Sequence, residues 1–162
     1  MPVELDLRHD GFDSGRVAFG PLCAAVCGGE LGCEPTVSLV LCDDPAIAEV
    51  NWTWLQHEGP TDVISFPQLD LSPGQPTSQL GRATLLGDII ISVDTAAAQA
   101  AAYGVTSSAG WGTEQEVALL FVHGLLHLCG WDDQTPEQRA AMAQREDRYL
   151  ATVGLGPAPR EG

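Results

Sequence analysis

The segment His123-Gly124-Leu125-Leu126-His127-Leu128-Cys129-Gly130-Trp131-Asp132-Asp133 constrains this chain more than any other. It sets two imidazoles one helical turn apart and, three residues later, supplies a glycine able to take the left-handed conformation that ends a helix. Residues i and i+4 share a helix face, so His123 and His127 can direct nitrogen lone pairs at one cation. A chain reversal at Gly130 brings Asp132 or Asp133 back as a third ligand. Two histidines and a carboxylate leave one position of a tetrahedral ion open, the pattern of a catalytic rather than a structural zinc.

A histidine on an apolar helix is more often a packed or surface residue, and Leu125, Leu126 and Leu128 do read as packing. The chain has only four histidines, however, and two of them stand at ligand spacing before a glycine turn and two carboxylates. The pattern excludes a zinc peptidase of the His-Glu-x-x-His kind, in which the glutamate is the general base, because Gly124 holds that position. Cys129 lies about 240° around the helix from His123 and reads as a small core residue.

At 162 residues the chain is long enough for one domain with a substantial core. No apolar run approaches a membrane span, and Met1 to Asp10 lacks the core of a signal peptide. The expectation is a cytoplasmic protein with no membrane partner and with five reduced cysteines. The net charge is −15, and all seven basic residues are arginine. A domain that grips nucleic acid by its own electrostatics carries a basic patch, so an RNA-acting role here must rest on a local groove, a metal or a partner.

Along the chain, strand patterns alternate with helix patterns. Val3–Arg8, Thr36–Cys42, Val63–Phe66 and Leu85–Val93 read as strands. Asp13 or Ser14 opens a helix expected to run to Gly28-Gly29. Asp44-Pro45 supplies an N-cap and an N1 proline for a helix carrying Ile47, Val50 and Trp54. The stretch Gln68 to Gln79 reads as a loop with no chemistry of its own, and Asp94 or Thr95 opens an alanine-rich helix ending at Gly104. Thr113 with Glu116 predicts a capping box at the head of the histidine helix, which is apolar all round from Val117 to Val122 and is therefore expected to be buried and central. Thr135-Pro136-Glu137-Gln138 opens a last helix. The domain is expected to span residues 1–154, with 155–162 as a flexible tail.

Four segments in this order resemble the YbeY-type single-strand endoribonucleases of bacterial ribosomal RNA maturation. They are Asn51-Trp52-Thr53-Trp54 followed by Pro60-Thr61-Asp62-Val63-Ile64-Ser65-Phe66-Pro67; Leu86-Gly87-Asp88-Ile89-Ile90-Ile91-Ser92; Ala98-Gln99-Ala100; and His123 to Asp133 with Met142 and Glu146 behind it. The resemblance covers about residues 35 to 154. It implies an α+β fold with a small mixed four-stranded sheet, a buried helix carrying metal ligands, and one zinc (Zn2+) per chain held by His123, His127 and Asp133. It further implies a metal-dependent endoribonuclease acting on single-stranded RNA, with ribosomal RNA and the ribosomal small subunit or its proteins as partners in rRNA processing and ribosome quality control, and no role on DNA.

Two departures accompany the match. The resemblance implies a histidine where this chain has Asp133; a carboxylate still binds zinc but is harder than imidazole, which favours tolerance of manganese or magnesium. It also implies an arginine directly after Trp54, where this chain has Leu55. Such an arginine steadies phosphate or transition-state charge, so its replacement predicts a weakened activity. Arg82, the basic residue nearest in sequence to the cleft segments, is a speculative substitute, and surface solubility is the favoured reading of it. Thr61, Asp62 and Ser65 read equally as cleft wall and as local turn or backbone partners. Asp88 is a candidate acceptor behind a ligand histidine. Beside the nuclease stands a second function, a non-catalytic ribosome-assembly factor that keeps the metal as a structural staple.

Overall fold

Strand alternation and helix periodicity sort the chain into two layers around a sheet. The computed structural model describes residues 3–73, 80–81, 83–104 and 110–160. Four strands, β1 (Val3–Leu7), β2 (Thr36–Cys42), β3 (Val63–Pro67) and β4 (Leu85–Ser92), form one sheet in the order β1-β2-β4-β3. β1 and β4 flank β2 in parallel, and β3 lies antiparallel on the far edge of β4. The sheet is therefore mixed, as expected, and the fold is α+β.

Period-two alternation decides which residues face each layer, except at Leu86, where a register shift between β2 and β4 interrupts it. Val37, Leu39 and Leu41 of β2 and Leu86, Ile89 and Ile91 of β4 are completely buried in the main core with α1 (Phe19–Leu31), α4 (Thr113–Leu128) and α5 (Pro136–Ala151). The opposite face presents Val40, Ile64, Phe66 and Ile90 to α2 (Asp44–Leu55), whose Ile47 is completely buried there. α3 (Val93–Gly104) follows β4 directly and packs on α2 and α4. Among the described residues, no helix is long and apolar enough to cross a membrane.

Local signals in the sequence locate most boundaries, with shifts that have physical causes. Thr135 and Gln138 cap α5 reciprocally around Pro136, as predicted. At α2 the cap is Asp43, whose carboxylate accepts the Ala46 N–H at 3.0 Å, because Asp44 is engaged by Ser92 and Thr95 at 2.6 Å each. The expected helix from Ser14 divides into a 3-10 turn at Ser14–Arg16 and α1, and α1 passes through Gly28-Gly29 to stop at Gly32, which has φ +70°. Gly29 is retained inside the helix by packing: a Cβ there would collide with the Tyr149 ring. The α4 cap is Gly112, whose N–H donates to Gln115 Oε1 at 2.8 Å; Glu116 instead receives the indole N–H of Trp111, also at 2.8 Å.

α4 is the central helix. Every residue from Glu116 to Leu128 is buried except the two histidines, which are half-buried on one face. Gly124 lies against β4, where a Cβ would sit only 3.0 Å from Ile89 Cγ2. No longer side chain fits between helix and sheet there, so the missing peptidase glutamate has a packing reason as well as a chemical one.

Candidate metal centre

The α4 periodicity stacks His123 on His127 and the turn behind them completes the group. The rings meet edge to face with centroids 4.6 Å apart, and their Nε2 atoms are separated by 3.0 Å. Each Nδ1 faces an acceptor: His123 Nδ1 lies 2.6 Å from Glu146 Oε2, and His127 Nδ1 lies 2.9 Å from the Trp131 carbonyl. A carbonyl only accepts, so the proton of neutral His127 belongs on Nδ1, and the Glu146 carboxylate makes the same demand of His123. The two Nε2 lone pairs then point at each other, an arrangement that requires a shared proton or a cation between them.

Asp133 supplies the third donor, with Oδ2 at 3.4 Å from both Nε2 atoms. Tetrahedral zinc with bonds of about 2.0–2.1 Å spaces neighbouring donors about 3.3 Å apart, so a triangle with edges of 3.0, 3.4 and 3.4 Å fits such an ion. His123, His127 and Asp133 are the one group of this kind among the described residues. Their side chains are 27%, 22% and 31% exposed, which leaves an open side to the group. Burial pushes the His123 imidazole down, but the hydrogen bond and charge of Glu146, joined by Asp133 and Asp62, outweigh it and hold the group above its ordinary value.

The turn explains why Asp133 rather than Asp132 reaches inward. Gly130, at φ +101°, reverses the chain against the Leu71 backbone, where a Cβ would collide. Asp132 then folds onto the turn and accepts the Asp133 N–H at 2.8 Å, which leaves Asp133 directed at the histidines. Asp133→Ala is therefore expected to weaken zinc binding by about a hundredfold and Asp132→Ala by less than about threefold, since only the former removes a donor. Competition with a chromophoric chelator measures both. Equal losses, or a larger loss for Asp132→Ala, would reverse the assignment.

Two clefts open on either side of the donor group. One, of about 380 Å³, is lined by Ser65, Pro67, Leu69, Leu71, His127 and Asp132 among others. The other, of about 190 Å³, is lined by Asp62, Gln99, Glu116, His123, Glu146 and Arg160 among others. Asp62 also receives the Val63 N–H at 2.7 Å and Gln99 Nε2 at 3.3 Å, while Thr61 Oγ1 lies 3.4 Å from it. Asp62 is thus both strand-entry turn and cleft wall, Ser65 is cleft wall, and Thr61 supports Asp62.

Other expected residues lie elsewhere. Asp88 is not behind either histidine; it lines a groove on the α2 face of the sheet and receives Gln68 Nε2 at 3.3 Å, because β4 alternation turns it away from α4. Leu55 ends α2, 41% exposed, and lines neither cleft. Arg82 falls outside the described residues. The loop after β3 contributes more than expected, since Leu69, Asp70 and Leu71 wall the larger cleft.

The roles of the acceptors behind the histidines are not read from the sequence, which offers Asp88 for that place and names Glu146 only within the resemblance. Glu146 is 5% exposed in an α5 stripe with Met142, Tyr149 and Leu150, and a glutamate inside an apolar stripe is the signal that could have marked it. Glu30 repeats the device on α1: buried at 4% exposure, it takes the Trp131 indole N–H at 2.8 Å, Arg145 at 2.9 Å and the Tyr149 hydroxyl. This network anchors Trp131, whose carbonyl receives His127. Cys129 is buried on the core side and hydrogen-bonds Cys27, away from the donor group, and all five cysteines are free. Residues 155–160, expected to trail free, instead fold back along α5, with Ala158 buried and its N–H donating to Asp147 at 3.0 Å.

Comparison with known proteins agrees with this architecture. A solution structure of TM1509 from Thermotoga maritima shares the fold with a TM-score of 0.59 over 97% of this chain and 100% of that one, at 18% identity. Proteins named endoribonuclease YbeY are similar over most of the sequence: that of Moorella thermoacetica is 45% identical over 133 residues, 82% of this chain and 81% of the relative. That of Symbiobacterium thermophilum is 40% identical over 134 residues, 79% and 78% of the two chains. The family model described as Endoribonuclease YbeY matches residues 24–154, a span that holds β2 to β4, all of α2 to α5 and every donor of the triangle; the chain belongs to that family.

Proposed function

We propose that this protein is a metal-dependent endoribonuclease that hydrolyses single-stranded RNA, with ribosomal RNA as its substrate in maturation and quality control of the ribosome in the cytoplasm. The observation that carries this reading is the pair of imidazoles with their Nδ1 atoms already committed and their Nε2 atoms converging with Asp133 between two clefts. Family membership supplies the reaction class.

His123, His127 and Asp133 would hold one zinc. Such an ion supplies Lewis acidity toward water and toward a phosphoryl oxygen. The chain's own groups do the rest: Glu146 and the Trp131 carbonyl keep each imidazole in the tautomer that leaves Nε2 available, while the walls formed by Ser65 and Leu71 on one side and Asp62 on the other orient a strand across the donor group. Asp133 brings a negative charge to the site, so manganese and magnesium are expected to substitute more readily than at an all-histidine set.

A second reading, a ribosome-assembly factor that keeps the metal without cutting RNA, is favoured by the state of the cations. Arg8, Arg16, Arg145 and Arg160 are each paired with carboxylates, and Asp62, Asp70, Glu116 and Asp132 line the clefts. A phosphodiester meets little positive charge from the described residues there. Cleavage of a labelled single-stranded RNA by purified protein, with and without chelator and beside His123→Ala, separates the two. The nuclease reading expects cleavage that chelator and His123→Ala both abolish; a folded, metal-loaded protein that leaves RNA intact supports the assembly role.

A further inference from the structure

Arg160 reaches Glu146, the acceptor behind His123, from a segment in which the sequence showed no element. Its Nη1 donates to both Asp147 carboxylate oxygens at 3.0 and 3.1 Å and to the Ala158 carbonyl at 3.2 Å. Its Nη2 donates to Glu146 Oε1 at 2.8 Å and reaches the Ala143 carbonyl at 3.4 Å. Glu146 is thereby divided between two partners: Oε1 takes Arg160, and Oε2 takes His123 Nδ1 at 2.6 Å.

We infer that Arg160 is a positioning residue for the metal centre, acting on His123 through Glu146. The reasoning is steric and electrostatic. A buried carboxylate with one oxygen unpaired carries a desolvation penalty, and it relieves that penalty by turning toward solvent or by swapping oxygens. The planar guanidinium fork removes that freedom, because it is itself fixed by Asp147 one residue along α5. With Oε1 occupied, Oε2 has one orientation, the one that receives the His123 Nδ1–H and turns Nε2 toward His127 and Asp133. Partners behind metal-binding histidines commonly set ligand orientation in this way. A direct phosphate contact by Arg160 is disfavoured by the same geometry, since its terminal nitrogens are already committed to three carboxylate oxygens and backbone carbonyls.

This inference rests on the metal-centre reading, and the test keeps the two separable. Zinc affinity is measured by chelator competition, and the imidazole nitrogens of the metal-free full chain by ¹⁵N NMR, for the parent, Arg160→Gln, Arg160→Lys, Glu146→Gln and the Arg160→Gln/Glu146→Gln pair. Arg160→Gln is expected to bind zinc about tenfold more weakly, the lower end of the range for partners behind metal ligands. Its metal-free spectrum should show the His123 nitrogens moving from a single Nδ1–H tautomer toward an averaged pattern, with those of His127 unchanged. In the Glu146→Gln background the same substitution should cost no further affinity, and Arg160→Lys should recover part of the loss. Unchanged affinity and an unchanged His123 spectrum in Arg160→Gln overturn the inference; so does an equal loss in both backgrounds, which would mark a packing role only. Should Arg160→Gln fail to fold, Arg160→Lys carries the comparison: a partial loss of affinity with a shifted His123 spectrum that disappears in the Glu146→Gln background supports the inference, while a parent-like spectrum and affinity, or an equal loss in both backgrounds, overturns it. A parent that binds no zinc defeats the metal-centre reading by itself, and the spectra of the metal-free chain still decide whether Arg160 sets the His123 tautomer.

Discussion

His127→Ala is expected to reduce zinc content from close to one ion per chain to none after gel filtration, with the fold retained. Zinc–peptide complexes with four protein ligands bind with roughly 10–16 kcal/mol, about 2.5–4 kcal/mol per ligand, so losing one donor of three lowers affinity by about two to three decades. The helix itself tolerates the change. His127 is half-buried on the rim of the core, Leu125, Leu126 and Leu128 beside it are completely buried, and alanine is the best helix former. A second readout tests the same site without counting metal. Zinc at about a hundred times its dissociation constant stabilises the native state by about 2.7 kcal/mol, which for a chain of this size raises Tm by roughly 5–10 °C. The parent should show that rise and His127→Ala should not. A variant that keeps its zinc, or whose Tm rises as the parent's does, would remove His127 from the donor set.

The donor group was largely legible in the sequence because helical spacing is a local property. Two residues four apart on one helix must share a face, and a glycine three residues later must turn the chain, so His123, His127 and an aspartate from the turn could be joined without knowing the tertiary fold. The choice of Asp133 over Asp132 came from the family resemblance, and the structure supplies its cause in the hydrogen bond that ties Asp132 to the turn. The sheet was legible for a similar reason: β2 and β4 are short, strongly apolar runs rich in leucine, valine and isoleucine.

What stayed hidden depends on residues far apart in the chain. Glu146 is 23 positions from His123, and Glu30 is 101 positions from Trp131. No periodicity links such pairs; only the burial of a charged residue inside an apolar stripe hints that a partner exists, and it does not name the partner. Asp88 was misplaced because strand alternation gives two faces but does not say which faces the histidine helix. Residues 155–160 carry no pattern in their glycine, proline and alanine, whereas their docking comes from one arginine and one backbone N–H meeting carboxylates on α5.

Restoring both positions at which the chain departs from the family resemblance, with Leu55→Arg and Asp133→His, is expected to raise single-strand RNA cleavage by roughly a hundredfold or more. The magnitude follows from the value of one preorganised donor to a developing charge, about 3–4 kcal/mol in the transition state. Each change addresses a distinct deficit. Asp133 contributes a negative charge among cleft walls that already carry Asp62, Asp70, Glu116 and Asp132, and an anionic phosphodiester must approach that field; an imidazole at the same turn keeps a donor while removing the charge. Leu55 ends α2 at 41% exposure, so an arginine there meets no core packing and its long side chain is free to extend toward bound RNA. The two sites lie on different elements and should act nearly additively, with Leu55→Arg adding from outside both clefts an unpaired cation for a strand that crosses the donor group. Cleavage should also fall more steeply with added salt than in the parent, since each further arginine–phosphate contact releases counterions that salt restores. Initial rates on a labelled single-stranded RNA, with circular dichroism and zinc content checked for every variant, measure the effect. A folded, zinc-loaded double variant that cuts no faster than the parent would shift the balance to the assembly role, because the two features that most weaken a nuclease would then have been repaired without effect.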